Sequence, residues 1–244
     1  MIAAQQTRVE YAAGRLLIRA PKGWRQYSFR GGGESIVVQV DLPAGSEVRG
    51  QAAVAALHAS GRLGECQFKT AAGDIHLARS GPLHLKTAAG DVTVEHVAGD
   101  AVITTASGAV RMDRVDGAAV VKNANGDTWI GEITGDVRVN SANGRILVER
   151  AQASVVARTA NGDVRLGEVS RGAVRAETAF GKVDIGIHDG VADWLDVTTR
   201  FGHVHSDLEA ADRPADGEEA VEVRARTAFG DIAIRRAVSR RTVG

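Results

Sequence analysis

The chain has 244 residues, in which 30 Lys and Arg balance 30 Asp and Glu. A formal net charge of zero excludes a global field that would draw it to nucleic acid or acidic lipid, and a mix of 44% hydrophobic and 25% charged residues excludes a disordered tail, a collagen-like chain and a membrane bundle. Gly is abundant at 29 residues and Pro scarce at 4. Aromatics make up only 4%, so the core has to be filled by Val, Ile, Leu and Ala.

Residues 1–7 carry no basic region followed by an apolar run, and no later stretch approaches the ~18 apolar residues of a membrane span. The reading is a cytoplasmic protein as encoded, and a surface role would require a start other than Met1. Two strand-like runs follow, 7–20 folded about Gly14 and 34–42, separated by the Gly31-Gly32-Gly33 loop. With Trp24, Tyr27 and Phe29 concentrated there, residues 1–57 read as a β-rich cap. The single cysteine, Cys66, cannot form an internal disulfide and reads as a small buried hydrophobe.

A repeat organises the rest. The tetrad Thr/Ser/Asn-Ala-x-Gly ends at Gly73, Gly90, Gly108, Gly126, Gly144, Gly162, Gly181, Gly202 and Gly230, with Arg200 the one break in the Ala column. The unit is 18 residues, loosening toward the carboxyl end. A degenerate copy, His58-Ala59-Ser60-Gly61, reads as a shortened first turn. Apolar residues stand second and fourth after each glycine, as in Val92/Val94 and Ile146/Val148, which is strand alternation. A second set of turn glycines, such as Gly99 and Gly117, divides each unit into short strands joined by tight turns.

Two all-β folds share this pattern: a parallel β-solenoid (β-helix) of about nine to ten 18-residue coils with β-rich caps, or an antiparallel meander of hairpins. The third tetrad position reads Ala72, Ala89, Ser107, Asn125, Asn143, Asn161, Phe180, Phe201, Phe229. Such blocks suit a solenoid, where the column stacks at roughly 4.8 Å so that amides bond along a ladder and rings stack, whereas in a meander like residues would lie roughly 9–10 Å apart. After the glycine stand Asp74, Asp91, Ala109, Asp127, Arg145, Asp163, Lys182, His203 and Asp231. From Asp91 to Lys182, carboxylates are interrupted at every other coil, which limits repulsion. Residues 58–206 are thus assigned to the solenoid, 207–236 to an acidic loop and a capping coil, and 237–244 to a basic, disordered tail.

The units exemplified by Thr159-Ala160-Asn161-Gly162-Asp163-Val164-Arg165-Leu166 resemble the bacterial DUF4097 family of β-strand-repeat proteins, whose members are often labelled adhesins. The likeness covers about residues 36–236. It implies a non-enzymatic, adhesin-like repeat protein, and because members commonly open with an additional strand pair, it also implies a start upstream of Met1 and a first sheet short of an edge partner.

No catalytic, cofactor or metal residues are assigned. His203 and His205 share a strand face near Asp207, but that spacing is common and reads as an exposed column. A calcium roll would need a ligand where Arg145 and Lys182 stand. Asp127 and Asp163, two coils apart, match an inverting glycosidase pair on paper, but no long loop builds a cleft over them. Arg111, Arg138, Arg165 and Arg175 read as cancelled by Glu132, Glu149, Glu168 and Glu177, so no specific nucleic acid is expected. The Phe180, Phe201 and Phe229 column reads as core or cap packing.

The leading reading is an interaction module that presents Asn125, Asn143 and Asn161, or the charged column Asp127, Arg145 and Asp163, to a protein or glycan. Self-association through strand edges into filaments comes second, and a carbohydrate-active β-helix enzyme third.

Overall fold

A computed structural model describes residues 7–20, 36–189, 192–208 and 220–237, and divides the chain into two units, Met1–Leu42 and Pro43–Gly244. In the first unit, strands β1 (Arg8–Ala12) and β2 (Arg15–Arg19) pair antiparallel. Ala13 and Gly14, with φ of 49° and 75°, form the connection, the doubly positive φ of a tight hairpin turn. The described part of the expected 34–42 strand, 36–42, joins no sheet, and Val37 is 91% exposed. Apolar alternation does not make a strand where no neighbour offers backbone partners. The Gly31–Gly33 loop and the three aromatics assigned to the cap lie outside the described residues.

The second unit is the repeat array, and every pairing in it is parallel. The hairpin meander is thereby excluded and the β-solenoid established. Each coil contributes one strand to each of two ten-stranded sheets. The first sheet contains β3 (Val48–Gln51), β5 (Cys66–Lys69), β7 (Leu83–Ala89), β9 (Ala101–Ser107), β11 (Ala119–Asn125), β13 (Val137–Asn143), β15 (Val155–Asn161), β17 (Gly172–Phe180), β19 (Ala192–Phe201) and β21 (Ala220–Phe229). The second contains β4 (Leu57–Arg62), β6 (Ile75–Ser80), β8 (Val92–Val97), β10 (Val110–Val115), β12 (Thr128–Ile133), β14 (Ile146–Ala151), β16 (Val164–Val169), β18 (Val183–Ile187), β20 (Val204–Ser206) and β22 (Ile232–Arg236). The regular 18-residue spacing belongs to the central coils. No described segment is helical, and no helix is long and apolar enough to cross a membrane.

Inward-pointing Val, Ile, Leu and Ala fill the space between the sheets, with Val94, Ile103, Met112, Ile130 and Val148 at most 1% exposed. Among the described residues no aromatic ring is fully buried, in keeping with the composition. Cys66 lies at 0% exposure in this core, and burial pushes its thiol up to about 11.

Two features of the stack differ from the sequence reading. The first coil starts at Val48, inside the region assigned to the cap, and its corner is residues 52–55, because Val54 bridges Ala72 and Leu57 pairs with Ile75. Ala55, 18 residues before Gly73, fills the glycine column, and the apparent copy ending at Gly61 runs along β4 instead. At the other end, the first sheet runs β17-β21-β19 and the second β18-β22-β20. The coil last in sequence is therefore second to last in space, lying between the 172–187 coil and the terminal 192–206 coil. Asp184 ties the inserted coil to its neighbour, accepting a bond from Arg235 Nε at 3.0 Å while facing Arg165 Nε at 3.5 Å.

The glycine column sets the contact between coils. Gly144 has φ of 134°, and a Cβ there would collide with the carbonyl oxygen of Gly126 in the coil below. Backbone angle and backbone approach thus both demand a residue without a side chain. Gly144→Val is expected to destabilise the array by about 4 kcal/mol or more, among the large effects of single substitutions. Urea or thermal denaturation followed by circular dichroism measures it, and a variant as stable as the parent would contradict this role.

Candidate functional site

The tetrad corner builds the site. Its first residue points inward: Thr87, Thr105, Asn123, Thr159, Thr178 and Thr227 are all buried. Thr70, Thr87 and Thr105 donate to the carbonyl two residues on, of Ala72, Ala89 and Ser107. Further along the stack this position satisfies the glycine carbonyl of the neighbouring coil, which would otherwise be buried without a donor. Thr159 Oγ1 donates to Gly144 O at 3.3 Å, Thr178 Oγ1 to Gly162 O at 2.9 Å, Thr227 Oγ1 to Gly181 O at 3.1 Å and Thr199 Oγ1 to Gly230 O at 3.0 Å. The last two bonds follow the spatial coil order, not the sequence order. Asn123 reaches both Gly108 O and Gly126 O, at 3.1 and 2.9 Å. Gly126 O is the carbonyl Ser141 would serve, and Ser141 Oγ has no partner. Only small hydroxyl or amide side chains fit this inner rung, which explains the Thr/Ser/Asn pattern that sequence inspection registered without a reason.

The third tetrad residue points outward. Asn143 Nδ2 donates to Asn125 Oδ1 and Asn161 Nδ2 to Asn143 Oδ1, both at 2.8 Å, so the asparagines form a bonded ladder. The ladder continues as a ring stack, because Asn161 pairs with Phe180 in register. Phe180 and Phe229 have centroids 5.0 Å apart and planes within 2°, while Phe229 and Phe201 stand 4.8 Å apart. The spatial order is therefore 180, 229, 201. These rings are 54%, 46% and 61% exposed, which corrects their assignment to core or cap packing. The alternation breaks at the corner: Val174, Ala176 and Thr178 point inward in turn, but Phe180, next in that series, lies at the outer surface.

The fourth-plus-one column is also outward. Asp127 Oδ1 accepts the backbone N–H of Arg145, and Asp163 Oδ1 that of Lys182, both at 2.8 Å. Asp91 caps Ala109 at 2.8 Å, Asp231 caps His203 at 3.0 Å, and Asp74 caps Asp91 at 2.9 Å. The adjacent Asp74 and Asp91, unexplained by charge alternation, are explained by this bond. In spatial order the column reads Asp91, Ala109, Asp127, Arg145, Asp163, Lys182, Asp231, His203, so carboxylates alternate with other residues to the end of the stack. The bond from His203 N–H, aided by Lys182, holds the Asp231 carboxyl below its ordinary range.

The six expected interaction residues thus share one exposed edge, Asn125, Asn143 and Asn161 on one side of the glycines and Asp127, Arg145 and Asp163 on the other. Asp127 and Asp163 each have an oxygen engaged in holding the adjacent coil. His203 belongs to the turn column, and His205 Nε2 stands 2.7 Å from Asp207 Oδ1. Among the described residues no group of three or more His, Cys, Asp or Glu is gathered to hold a metal.

The model of the family described as Toastrack DUF4097 matches residues 4–235, which takes in every corner of this coil stack. The chain belongs to the Toastrack DUF4097 family. The match takes in the β1–β2 hairpin as well as the repeats, and so reaches further toward the amino terminus than the resemblance read from the repeat alone. Searches of curated proteins and of solved structures returned no match.

If Asp127 is a coil-to-coil cap, removing its acceptor matters more than removing its charge. Asp127→Ala is expected to cost about 1 kcal/mol, with Asp127→Asn close to the parent because an amide oxygen still accepts. Paired denaturation curves check the order, and equal losses would assign the effect to charge.

Proposed function

We propose that this Toastrack chain is a non-enzymatic interaction scaffold that presents the edge ladder to a protein or glycan. The observation that carries the proposal is the exposed stack of Phe180, Phe229 and Phe201. Three rings left half in water contribute nothing to the core, while their aligned faces and edges offer apolar area to a ligand at low entropic cost. The asparagines beside them fit the same use. Each spends one N–H on the rung below it and keeps another for a ligand hydroxyl or carbonyl. Family and fold both suit a non-catalytic repeat module.

A second reading, end-to-end self-association, is favoured by the terminal coil. β19 and β20 are the outermost strands of their sheets, and Trp194 and Val204 are each 49% exposed there. An outermost strand carrying apolar side chains is a template for pairing.

The test is a glycan-array and peptide-library screen of the parent beside a Phe180→Ser, Phe229→Ser double variant, with light scattering on both from micromolar to high micromolar concentration. Ligands of the parent are expected to weaken by roughly tenfold or more in the variant, as for hot-spot aromatics, with constant mass throughout. Ligand binding indifferent to the variant would overturn the edge ladder. Mass that grows with concentration would support assembly instead.

A further inference from the structure

The formal charge of zero conceals a segregation between the two sheets. Across β5, β7, β9, β11, β13 and β15 of the first sheet there are five cations, Lys69, Lys86, Lys122, Arg138 and Arg158, and no Asp or Glu. Across β6 to β16 of the second sheet, five arginines face five acids, Glu95, Asp113, Glu132, Glu149 and Glu168. The two faces do not share their counter-charges. Of the acids that seemed to cancel Arg111, Arg138, Arg165 and Arg175, Glu132, Glu149 and Glu168 belong to the opposite face, and Glu177, on the first sheet, pairs with Arg158 and Arg175. The expectation of a neutralised surface therefore does not hold for the first sheet from Lys69 to Arg138. Lys69, Lys86, Lys122 and Arg138 are exposed and make no ion pair among the described residues, while Arg158, at the end of the row, stands 3.0 Å from Glu177 of β17.

Register turns these cations into a track. Lys69 pairs with Lys86, Lys86 with Thr104, Thr104 with Lys122, Lys122 with Asn140, and Asn140 with Arg158. Two lysines side by side oppose their own strand pairing. From Lys86 onward, cation and neutral hydrogen-bonding group alternate, so charge recurs every two coils, roughly 9.6 Å. An open groove of about 450 Å³ runs beside Lys69, Lys86 and Thr104, floored by Ala88, Ala106 and Ala124. Asp91 and Asp127 at the glycine corner form no ion pair with these cations among the described residues, and each turns an oxygen onto the backbone of the adjacent coil.

We infer that the outer face of the first sheet, from Lys69 to Arg158, is a docking track for a linear carboxylated glycan lying along the stack axis. Charge complementarity selects an anionic chain. The alternation of Lys86, Thr104, Lys122 and Asn140 matches a polymer in which anionic and hydroxyl-bearing units alternate, and the alanine floor accepts the apolar faces of its rings. Each strand of a DNA duplex carries charge at about 3.4 Å intervals along the axis, far denser than this row. Single-strand binders also supply aromatic platforms for the bases, and the outward positions of these strands hold no Phe, Tyr or Trp. The track is separate from the Phe180 stack, so the two can fail independently.

The test uses the full chain with hyaluronan fragments, which carry one carboxylate per two sugars, polygalacturonate, neutral dextran and oligo(dT). Hyaluronan is expected to bind, to be released by salt, and to weaken about tenfold or more in a Lys86→Gln, Lys122→Gln, Arg138→Gln variant. An Arg79→Gln, Arg150→Gln variant of the opposite face should stay within about twofold, and dextran should not bind. Failure of both carboxylated polymers to bind, an equal loss in the opposite-face variant, or tighter binding of oligo(dT) than of hyaluronan would each overturn the inference.

Discussion

The contact on which the rest depends is backbone against backbone at the glycine corner. Because Gly144 offers no side chain, its coil settles directly onto the carbonyl of Gly126, and the same contact recurs from Gly90 through Gly181. Strand spacing then fixes the rise, and every position of the 18-residue unit becomes a column. Inside the corner, threonine hydroxyls reach the glycine carbonyls. Outside it, asparagines bond in a row, rings stack, and aspartates cap the next coil. These features have one origin, since a bulkier residue in the glycine column would separate the coils and break all of them together.

The same columns account for the inverted order of the last two coils. In sequence order Lys182, His203 and Asp231 would put two basic residues together and leave Asp231 on the end. Placing the 220–237 coil between its predecessors gives Lys182, Asp231, His203, with Asp231 close to both Lys182 Nζ and His203 Nδ1. The inserted coil also gives Asp184 its partner Arg235. Electrostatics selects this arrangement, and the inner hydroxyl bonds and ring stack are compatible with it, the consistency across levels expected of a well-specified fold.

The periodicity made the solenoid legible, and the blocks of like residues correctly favoured parallel stacking over hairpins. The first coil was hidden because Ala55 stands where a glycine was sought, while Gly61 supplied a false match. The coil order was hidden because sequence spacing does not say which coil lies next to which; only the alternation of the aspartate column carried that signal, and only when followed past Lys182. The six edge residues were legible as neighbours, but the hydrogen bonds that occupy Asp127 and Asp163 were not, since backbone N–H groups leave no mark in a sequence. The exposure of the phenylalanines follows from the break in alternation at the corner, and the charge difference between sheets from which strand of each coil a residue lies on, which summed composition erases.

Spatial order can be read out by cross-linking, because side chains in register on adjacent parallel strands lie within disulfide reach, whereas second neighbours at roughly 9.6 Å exceed the ~7 Å limit between Cα atoms. With Cys66→Ala as background, three cysteine pairs would be introduced: Phe180→Cys with Phe229→Cys, Phe229→Cys with Phe201→Cys, and Phe180→Cys with Phe201→Cys. The structure predicts ready oxidation of the first two pairs and none of the third, as measured by mass spectrometry under mild oxidant. Closure of the 180–201 pair with the 180–229 pair remaining reduced would show that the coils stack in sequence order and would contradict the account.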